Sequence, residues 1–134
     1  MPAHEYPIQV YYEDTDHSGV VYHANYLKYF ERAREHMLGI EALVELYQQH
    51  NVGFVVYKAD LTYKKGAVFG DKLTIQSTVN QESPYRLNFV QKAYRGTEVL
   101  VTAHIQLACV QHNDGLIRLP ESVCEALRKS GYQS

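Results

Sequence analysis

The chain has 134 residues, of which 46% are hydrophobic and 21% charged, and its formal net charge is -2. This composition predicts one folded domain over residues 1–134 and excludes a disordered chain. The small net charge argues against general binding to nucleic acid or to an anionic membrane. We find no signal-peptide pattern and no uncharged stretch long enough to span a bilayer, so we expect a cytoplasmic location. Cys109 and Cys124 lack zinc-ligand spacing and are expected to be reduced thiols.

The first part of the chain predicts a strand, a turn and a helix. Residues 5–12 read as the strand and residues 15–19 as the turn. From about residue 22 to residue 38 the side chains repeat at helical spacing, with Asn25 as the candidate N-cap and Gly39 as the C-cap. The residues that carry this spacing are Tyr26, Leu27, Phe30, Ala33, Arg34, Met37 and Leu38.

The remaining chain predicts mostly strands. Turn signals stand at residues 95–98 and 113–115, and Pro120 suits the first turn of a closing helix. The predicted elements are a helix over Glu41–Gln49, strands over Phe54–Lys64, Lys72–Gln81, Arg86–Tyr94, Val99–Gln111 and Leu116–Leu119, and a helix over Glu121–Lys129.

This order predicts an α+β fold in which a curved antiparallel sheet of five or six strands wraps around one long helix. The helix at 25–38 is apolar over a wide arc, and a sheet that curves around it would cover that arc. Strand 99–111 alternates apolar and polar residues, so one of its faces should be buried.

Three acids, Glu13, Asp14 and Asp16, precede a turn that contains Gly19. One interpretation is structural, because Asp side chains often bond their own nearby backbone in turns. The other is catalytic. The first N–H groups of a helix have no partner inside it and can stabilise a developing oxyanion, and a carboxylate just upstream could reach the same carbonyl carbon.

His17, His23 and Tyr12 are the other candidate functional residues of this stretch. A metal site formed by the two histidines with the acids is disfavoured, because no further ligand with recognisable spacing exists. We expect His17 to be an exposed turn residue. His23 stands where the helix begins and could position water or a thioester oxygen, or only cap the helix. Tyr12 lies at the end of the predicted first strand.

The stretch EDTDHSGVVYHANYLKYFERAR resembles the signature of hot-dog-fold acyl-CoA thioesterases of the YbgC / 4-hydroxybenzoyl-CoA thioesterase type. The likeness is closest to the YbgC branch, whose genes accompany the Tol-Pal envelope system. It is specific in the motif and looser from about Pro7 to Pro120. The motif residues are Asp14, Asp16, Gly19, Val20, Val21, Asn25, Tyr26, Ala33 and Arg34.

The resemblance implies hydrolysis of an acyl-CoA thioester without metal or cofactor. Asp16 matches the family's catalytic carboxylate, either as nucleophile or as the base that activates water. Tyr12 and His23 match positions implicated in the YbgC branch. The backbone N–H groups near Tyr22 and His23 would form the oxyanion hole.

The resemblance also implies a site shared between subunits, and hence a homodimer or a homotetramer. Arg86 lies near a family position that contacts CoA, and the other basic candidates for the CoA phosphates are Lys64, Lys65, Lys92 and Arg95. Acyl carrier protein is an alternative carrier of the acyl group. Two rival functions stay open at this point, a non-catalytic binding and scaffolding module and a hydroxyacyl thioester dehydratase, although the Asp-x-Asp-x-x-Gly motif does not suit the dehydratase.

Overall fold

The computed structural model describes residues 3–113 and 115–129, and these residues form a six-stranded sheet, three α-helices and a short 3-10 helix. The strands are β1 (His4–Gln9), β2 (Val52–Tyr63), β3 (Lys72–Ser83), β4 (Arg86–Arg95), β5 (Glu98–Gln111) and β6 (Gly115–Leu116). The helices are α1 (Asn25–Leu38), α2 (Ile40–His50) and α3 (Glu121–Arg128).

The sheet is antiparallel, with strand order β1-β3-β4-β5-β2 and with β6 paired to β5. Leu87 of β4 lies opposite Leu107 of β5, and Ile75 of β3 lies opposite Ala93 of β4. Because side chains alternate between the faces of a strand, this register places all four on one face, which is buried. We call this the inner face and the opposite one the outer face.

Helix α1 packs its apolar side on the inner face. Phe30 and Ala33 are completely buried, and the Phe30 carbonyl accepts a 3.0 Å hydrogen bond from Gln91 of β4. Gly39 ends α1 by donating its N–H to the Glu35 carbonyl at 2.8 Å, as its sequence position predicts. The predicted α+β arrangement, a sheet packed on one long helix, is therefore confirmed. None of the described helices is long and apolar enough to cross a membrane.

Four predictions of element boundaries are wrong. The first strand ends at Gln9 and not at Tyr12, because the chain then turns, and Tyr12–Asp14 form a short 3-10 helix. Asn25 is not an N-cap but the first residue of α1, and Ala24 occupies the cap position. The late strand at 116–119 is reduced to Gly115–Leu116.

The fourth correction concerns the closing helix. Pro120 has extended backbone and caps α3, and so it does not occupy the first helical turn. The predicted turn at 113–115 includes Asp114, which lies outside the described residues. The other predicted strands and helices agree with the structure to within two residues at each end.

Candidate active site

The Asp-x-Asp motif forms a tight turn that faces the start of α1. The Asp16 N–H donates to the Val20 carbonyl at 2.9 Å, and the Gly19 N–H donates to the Asp16 carbonyl at 3.0 Å. Gly19 has a φ of +87°, which a residue with a side chain rarely adopts. A bridge between Thr15 and Val21 closes the turn, so Asp16 lies near its tip.

Asp14 has a structural role. Its carboxylate accepts the N–H of Tyr11 at 2.8 Å. Its carbonyl accepts two 2.9 Å hydrogen bonds, one from the N–H of Tyr22 and one from the side-chain amide of Asn25. Asp14 therefore connects the turn to the first residue of α1, and its carboxylate is engaged in that framework.

Asp16 has one engaged carboxylate oxygen and one open one. Oδ1 accepts the Ser18 N–H at 2.9 Å and the Ser18 hydroxyl at 2.6 Å. Within residues 3–113 and 115–129, no hydrogen bond is formed by Oδ2. The bonds from Ser18 hold the pKa of Asp16 below its usual value, so the carboxylate is ionised at neutral pH. Asp16 thus stabilises the turn through Oδ1, and its Oδ2 has no hydrogen-bond partner among the described residues.

Just before α1, two backbone N–H groups have no acceptor among the described residues. The N–H groups of Asn25, Tyr26 and Leu27 donate to carbonyls three residues back, at 2.8, 3.4 and 3.2 Å. The predicted oxyanion donor Tyr22 is already bonded to Asp14. In the part of the chain that the structure describes, the N–H groups of His23 and Ala24 donate to no acceptor. No acidic residue lies in the first turn of α1. Of the two predicted oxyanion donors, Tyr22 and His23, only His23 thus has an N–H group without an acceptor among the described residues, and the N–H group of Ala24 is in the same state.

His23 is held by aromatic neighbours. Its carbonyl accepts the Tyr63 hydroxyl at 3.0 Å, and its ring centroid lies 4.5 Å from that of Tyr22 and 6.1 Å from that of Tyr63. The side chain is exposed, and no described residue joins it to Asp16 by a hydrogen bond. The His23 backbone is thus held by a hydrogen bond, whereas its imidazole forms none with the described residues.

Tyr12 projects outward from the 3-10 turn. It is 75% exposed, and its ring meets the edge of Phe69 at 5.8 Å. Among the described residues its hydroxyl makes no hydrogen bond, so the single chain brings it into no contact with Asp16 through that group. His17 is exposed, as predicted. No described residue belongs to a group of three or more metal-ligating side chains.

The loop 64–71 supports the turn from the other side, and the sequence analysis did not identify this role. The Val21 N–H donates to the Ala67 carbonyl at 2.8 Å, and the Ala67 N–H donates to the Tyr26 hydroxyl at 3.3 Å. A Cβ on Gly66 would lie 2.8 Å from Cγ1 of Val20, so only glycine permits this close approach. The Gly66-Ala67 pair of small residues between two strands was the available signal.

Ion pairs neutralise two of the five basic candidates for phosphate binding. Lys65 bonds Glu98 at 2.5 Å, and Arg95 bonds both Asp71 at 2.8 Å and Glu98 at 3.0 Å. Lys64 lies at the same end of the sheet and forms no ion pair with any described residue. Its charge is therefore not neutralised by an ion pair within the part of the chain that the structure describes.

Arg86 lies far from the turn. It begins β4, and nine residues of extended strand, roughly 30 Å, separate it from Arg95 at the end that holds loop 64–71. Its register opposite Ala108 places it on the outer face, where its guanidinium covers the ring of Tyr57 at 5.0 Å. Lys92 is also on the outer face. The structure does not bring Arg86 or Lys92 together with Asp16 of the same chain.

Two adjoining grooves run along the flank of α1 beside β2, and the sequence analysis did not predict them. The first, of about 240 Å³, is lined by Leu27, Lys28, Glu31, Arg34, Val56, Ala59 and Ile105. The second, of about 200 Å³, continues toward Leu43, Tyr47 and Phe54 and shares Glu31, Arg34 and Val56 with the first. A larger cleft of about 470 Å³ lies on the outer face and is not adjacent to the turn.

The fold and the turn correspond to a known class of enzyme. The family model of the thioesterase-like superfamily matches residues 10–127. The chain belongs to this superfamily, has its hot-dog fold, and is a thioester hydrolase.

Three known proteins are similar to the chain over most of its length. It is 37% identical over 107 residues to the acyl-CoA thioesterase YbgC of Haemophilus influenzae, covering 78% of this chain and 79% of the relative. It is 36% identical over 107 residues to the acyl-CoA thioester hydrolase YbgC of Escherichia coli O157:H7, covering 78% and 80%. A structure described as a probable thioesterase from Bartonella henselae superposes with a TM-score of 0.83 at 32% identity, covering 88% of this chain and 99% of that one. The resemblance to the YbgC type is therefore confirmed.

Proposed function

We propose that the protein hydrolyses acyl-CoA thioesters, with the Asp16 carboxylate and the open N–H groups of His23 and Ala24 acting on one carbonyl group. The observation that carries the proposal is the link through Asp14, which fixes the turn with the open Asp16 oxygen relative to the helix start with the open donors. The names of the two YbgC relatives support the choice of acyl-CoA as substrate.

The proposed reaction has two forms that differ in the attacking atom. In one, Asp16 removes a proton from water and the water oxygen attacks the thioester carbonyl carbon. In the other, the Asp16 oxygen attacks directly, and water then hydrolyses the resulting anhydride. In both, the carbonyl oxygen becomes an oxyanion that accepts hydrogen bonds from the N–H groups of His23 and Ala24, and the C–S bond breaks as CoA leaves as a thiolate. The thiolate takes up the proton held by Asp16 in the first form and a proton from solvent water in the second. His23 and Tyr12 stay proposed catalytic residues through their side chains.

The site requires a second subunit in this proposal. Among the described strands, β2 pairs only with β5, so its other backbone edge is free over twelve residues, and Val55, Val56, Tyr57 and Tyr63 are exposed on it. Two β2 edges can pair antiparallel around a two-fold axis, which satisfies this edge and forms a homodimer. A homotetramer would use a further surface, for which the outer face is available.

Antiparallel pairing reverses the second subunit end for end. The Arg86 end of one sheet then lies beside the Tyr63 end of the other. Arg86 can thus serve the CoA phosphates bound at the partner's turn, together with Lys64 of the turn's own subunit. Lys65 contributes less in this proposal because its charge is paired with Glu98.

Acyl carrier protein is a second candidate carrier. Lys28, at the rim of the first groove, and Lys64 are exposed and form no ion pair with described residues, and such cations suit an acidic carrier. A cytoplasmic location stays a prediction and agrees with the two free thiols.

The test is release of free thiol from a series of acyl-CoAs from acetyl to palmitoyl, with the same acyl groups on acyl carrier protein in parallel. Hydrolysis of at least one CoA thioester that depends on Asp16 supports the proposal. If only the carrier-protein thioesters are hydrolysed, the carrier of the acyl group is acyl carrier protein and not CoA. Binding of these thioesters without turnover would favour the scaffolding function instead.

A further inference from the structure

Arg34 is a buried cation in the wall of the grooves. Its side chain is 6% exposed, and Nη1 donates to Oε1 of Gln91 at 3.0 Å. No carboxylate among the described residues lies within ion-pair distance of it. Its guanidinium carbon lies 5.9 Å from the centroid of the Phe89 ring, and Glu31 and Glu35 act on its charge only from beyond ion-pair distance. Burying a charge without a closer partner of opposite charge is costly, so a guanidinium in this position indicates a purpose other than packing.

A buried relay fixes the orientation of Arg34. Gln91 is completely buried, and its amide nitrogen donates to the Phe30 carbonyl at 3.0 Å and to the Ser77 hydroxyl at 2.9 Å. The amide oxygen of Gln91 must then point toward Arg34. A guanidinium has five N–H donors, and within the described residues only Nη1 finds an acceptor. The relay therefore holds Arg34 in place without neutralising it.

Arg34 lies where the two grooves meet. It lines both of them, with Glu31 and Val56. The rest of the first groove is largely apolar, and a few polar groups in an apolar wall are typical of a ligand site. Arg34 follows Asn25, the first residue of α1, by nine residues, which corresponds to about 14 Å along the helix axis, and helical side chains lean toward the N-terminus. The guanidinium thus lies about one medium-length acyl chain from the helix start.

We propose that Arg34 determines acyl specificity by donating hydrogen bonds to an uncharged oxygen, a hydroxyl or keto group, near the far end of a medium-length acyl chain. This inference rests on the proposed function, because it places the acyl chain in the first groove with its thioester at the start of α1. A plain alkyl chain would cover the guanidinium donors without pairing them, which costs binding energy. A chain that ends in a carboxylate would meet the charge of Glu31 in the same wall.

The experiment compares chain-length-matched acyl-CoAs, from hexanoyl to dodecanoyl, in three forms: unsubstituted, with a terminal hydroxyl, and with a terminal carboxylate. We expect the hydroxylated form to have the highest kcat/KM at one chain length or more, by about tenfold or greater over the alkyl form. Arg34→Met should abolish the preference. Arg34→Lys, which keeps the charge and loses the guanidinium fork, should retain a smaller one. Arg32→Met, which changes an exposed arginine of the same helix, is the matched control and should leave it unchanged.

Two outcomes overturn the inference. One is equal or better hydrolysis of the alkyl or carboxylate form at every length by the unaltered protein, a result that needs no variant to fold. The other is a hydroxyl preference that survives in folded Arg34→Met. If no acyl-CoA is hydrolysed, the proposed function fails, and calorimetry with free decanoic and 10-hydroxydecanoic acids then decides this inference separately: tighter, Arg34-dependent binding of the hydroxy acid supports it, and equal binding overturns it.

Discussion

The side-chain amide of Asn25 donates a 2.9 Å hydrogen bond to the carbonyl of Asp14, and this bond joins the first residue of α1 to the turn that holds Asp16. The N–H of Tyr22 bonds the same carbonyl. The two acids of the motif therefore have separate duties. Asp14 holds the turn against the helix, whereas Asp16 keeps one carboxylate oxygen without a hydrogen bond to any described residue, and we propose that this oxygen acts together with the N–H groups of His23 and Ala24. The following predictions test this division.

Asp16→Asn should lower kcat by roughly a hundredfold or more, the usual loss when a general base or nucleophile is removed. The fold should be retained, because the Asn side chain can accept the same two hydrogen bonds from Ser18 in the turn. Asp14→Asn is the matched control. Its amide oxygen can still accept the Tyr11 N–H, and its carbonyl is unchanged, so kcat should fall far less. Steady-state thiol release, with circular dichroism to confirm folding, measures both. A folded Asp16→Asn with near-normal turnover would leave Asp16 only its turn-forming role.

Lys64→Ala should raise KM for acyl-CoA several-fold while kcat changes little, because a phosphate contact acts on the bound ground state. Lys65→Ala is the control at the adjacent position. Its ammonium group already pairs with Glu98, so its removal should change KM less. The comparison is made at low ionic strength, where unpaired surface charges act most strongly, and repeated at high salt. An equal effect of the two substitutions would show that the ion pair does not decide which lysine binds the phosphates.

Arg86→Ala should also raise KM, through the site of the neighbouring subunit. Mixed oligomers test this directly. Arg86→Ala and Asp16→Asn chains, unfolded together and refolded, should form hybrid dimers that each contain one site with both native residues. At substrate concentrations below KM, the mixture should then exceed the average activity of the two separate variants.

Light scattering on the same samples checks the assembly. An active monomer at micromolar concentration would contradict the proposal that the active site is shared between two subunits. A mixture whose activity equals the average of its components would place Arg86 outside the neighbouring subunit's site.

Acidification should weaken the attachment of β1. Burial, with a smaller contribution from the charge of His36, lowers the pKa of His4, and the buried Nδ1 of His4 has no hydrogen-bond partner among the described residues. The pKa in the folded state is thus below the unfolded value of about 6.5. As the pH falls through 6.5 the unfolded chain binds the proton first, so stability is lost on the acid side of this value.

Denaturant unfolding at pH 7.5 and 5.5 measures this loss. His4→Phe, which cannot bind a proton, should lose less free energy of unfolding between the two pH values than the unaltered protein. The window lies above the usual range of carboxyl groups, which limits their contribution. Equal losses of unfolding free energy in both proteins would show that protonation of His4 is not linked to unfolding.

The elements of the fold were largely predictable from the sequence because their signals are local. The alternation from Val101 to Cys109 follows from the two-residue period of a strand, and the helical spacing from Tyr26 to Leu38 follows from the period of an α-helix. The specific motif around Asp16 also identified the candidate turn correctly. A hydrogen bond between residues that are distant in sequence leaves no such period. The sequence therefore predicts Asn25 as an N-cap, whereas its side chain in fact bonds the carbonyl of Asp14, eleven residues earlier.

Tertiary structure alone decided which groups of the site are available. Chain folding pairs the Tyr22 N–H with Asp14 and the Lys65 ammonium with Glu98, whereas Lys64 and the N–H groups of His23 and Ala24 have no such partner within residues 3–113 and 115–129. It also places Arg86 at the far end of β4. The burial of Arg34 depends on contacts from Gln91, fifty-seven residues away. Residue types and local spacing determine what a segment can form, whereas the partner of each polar group depends on which distant segments pack together.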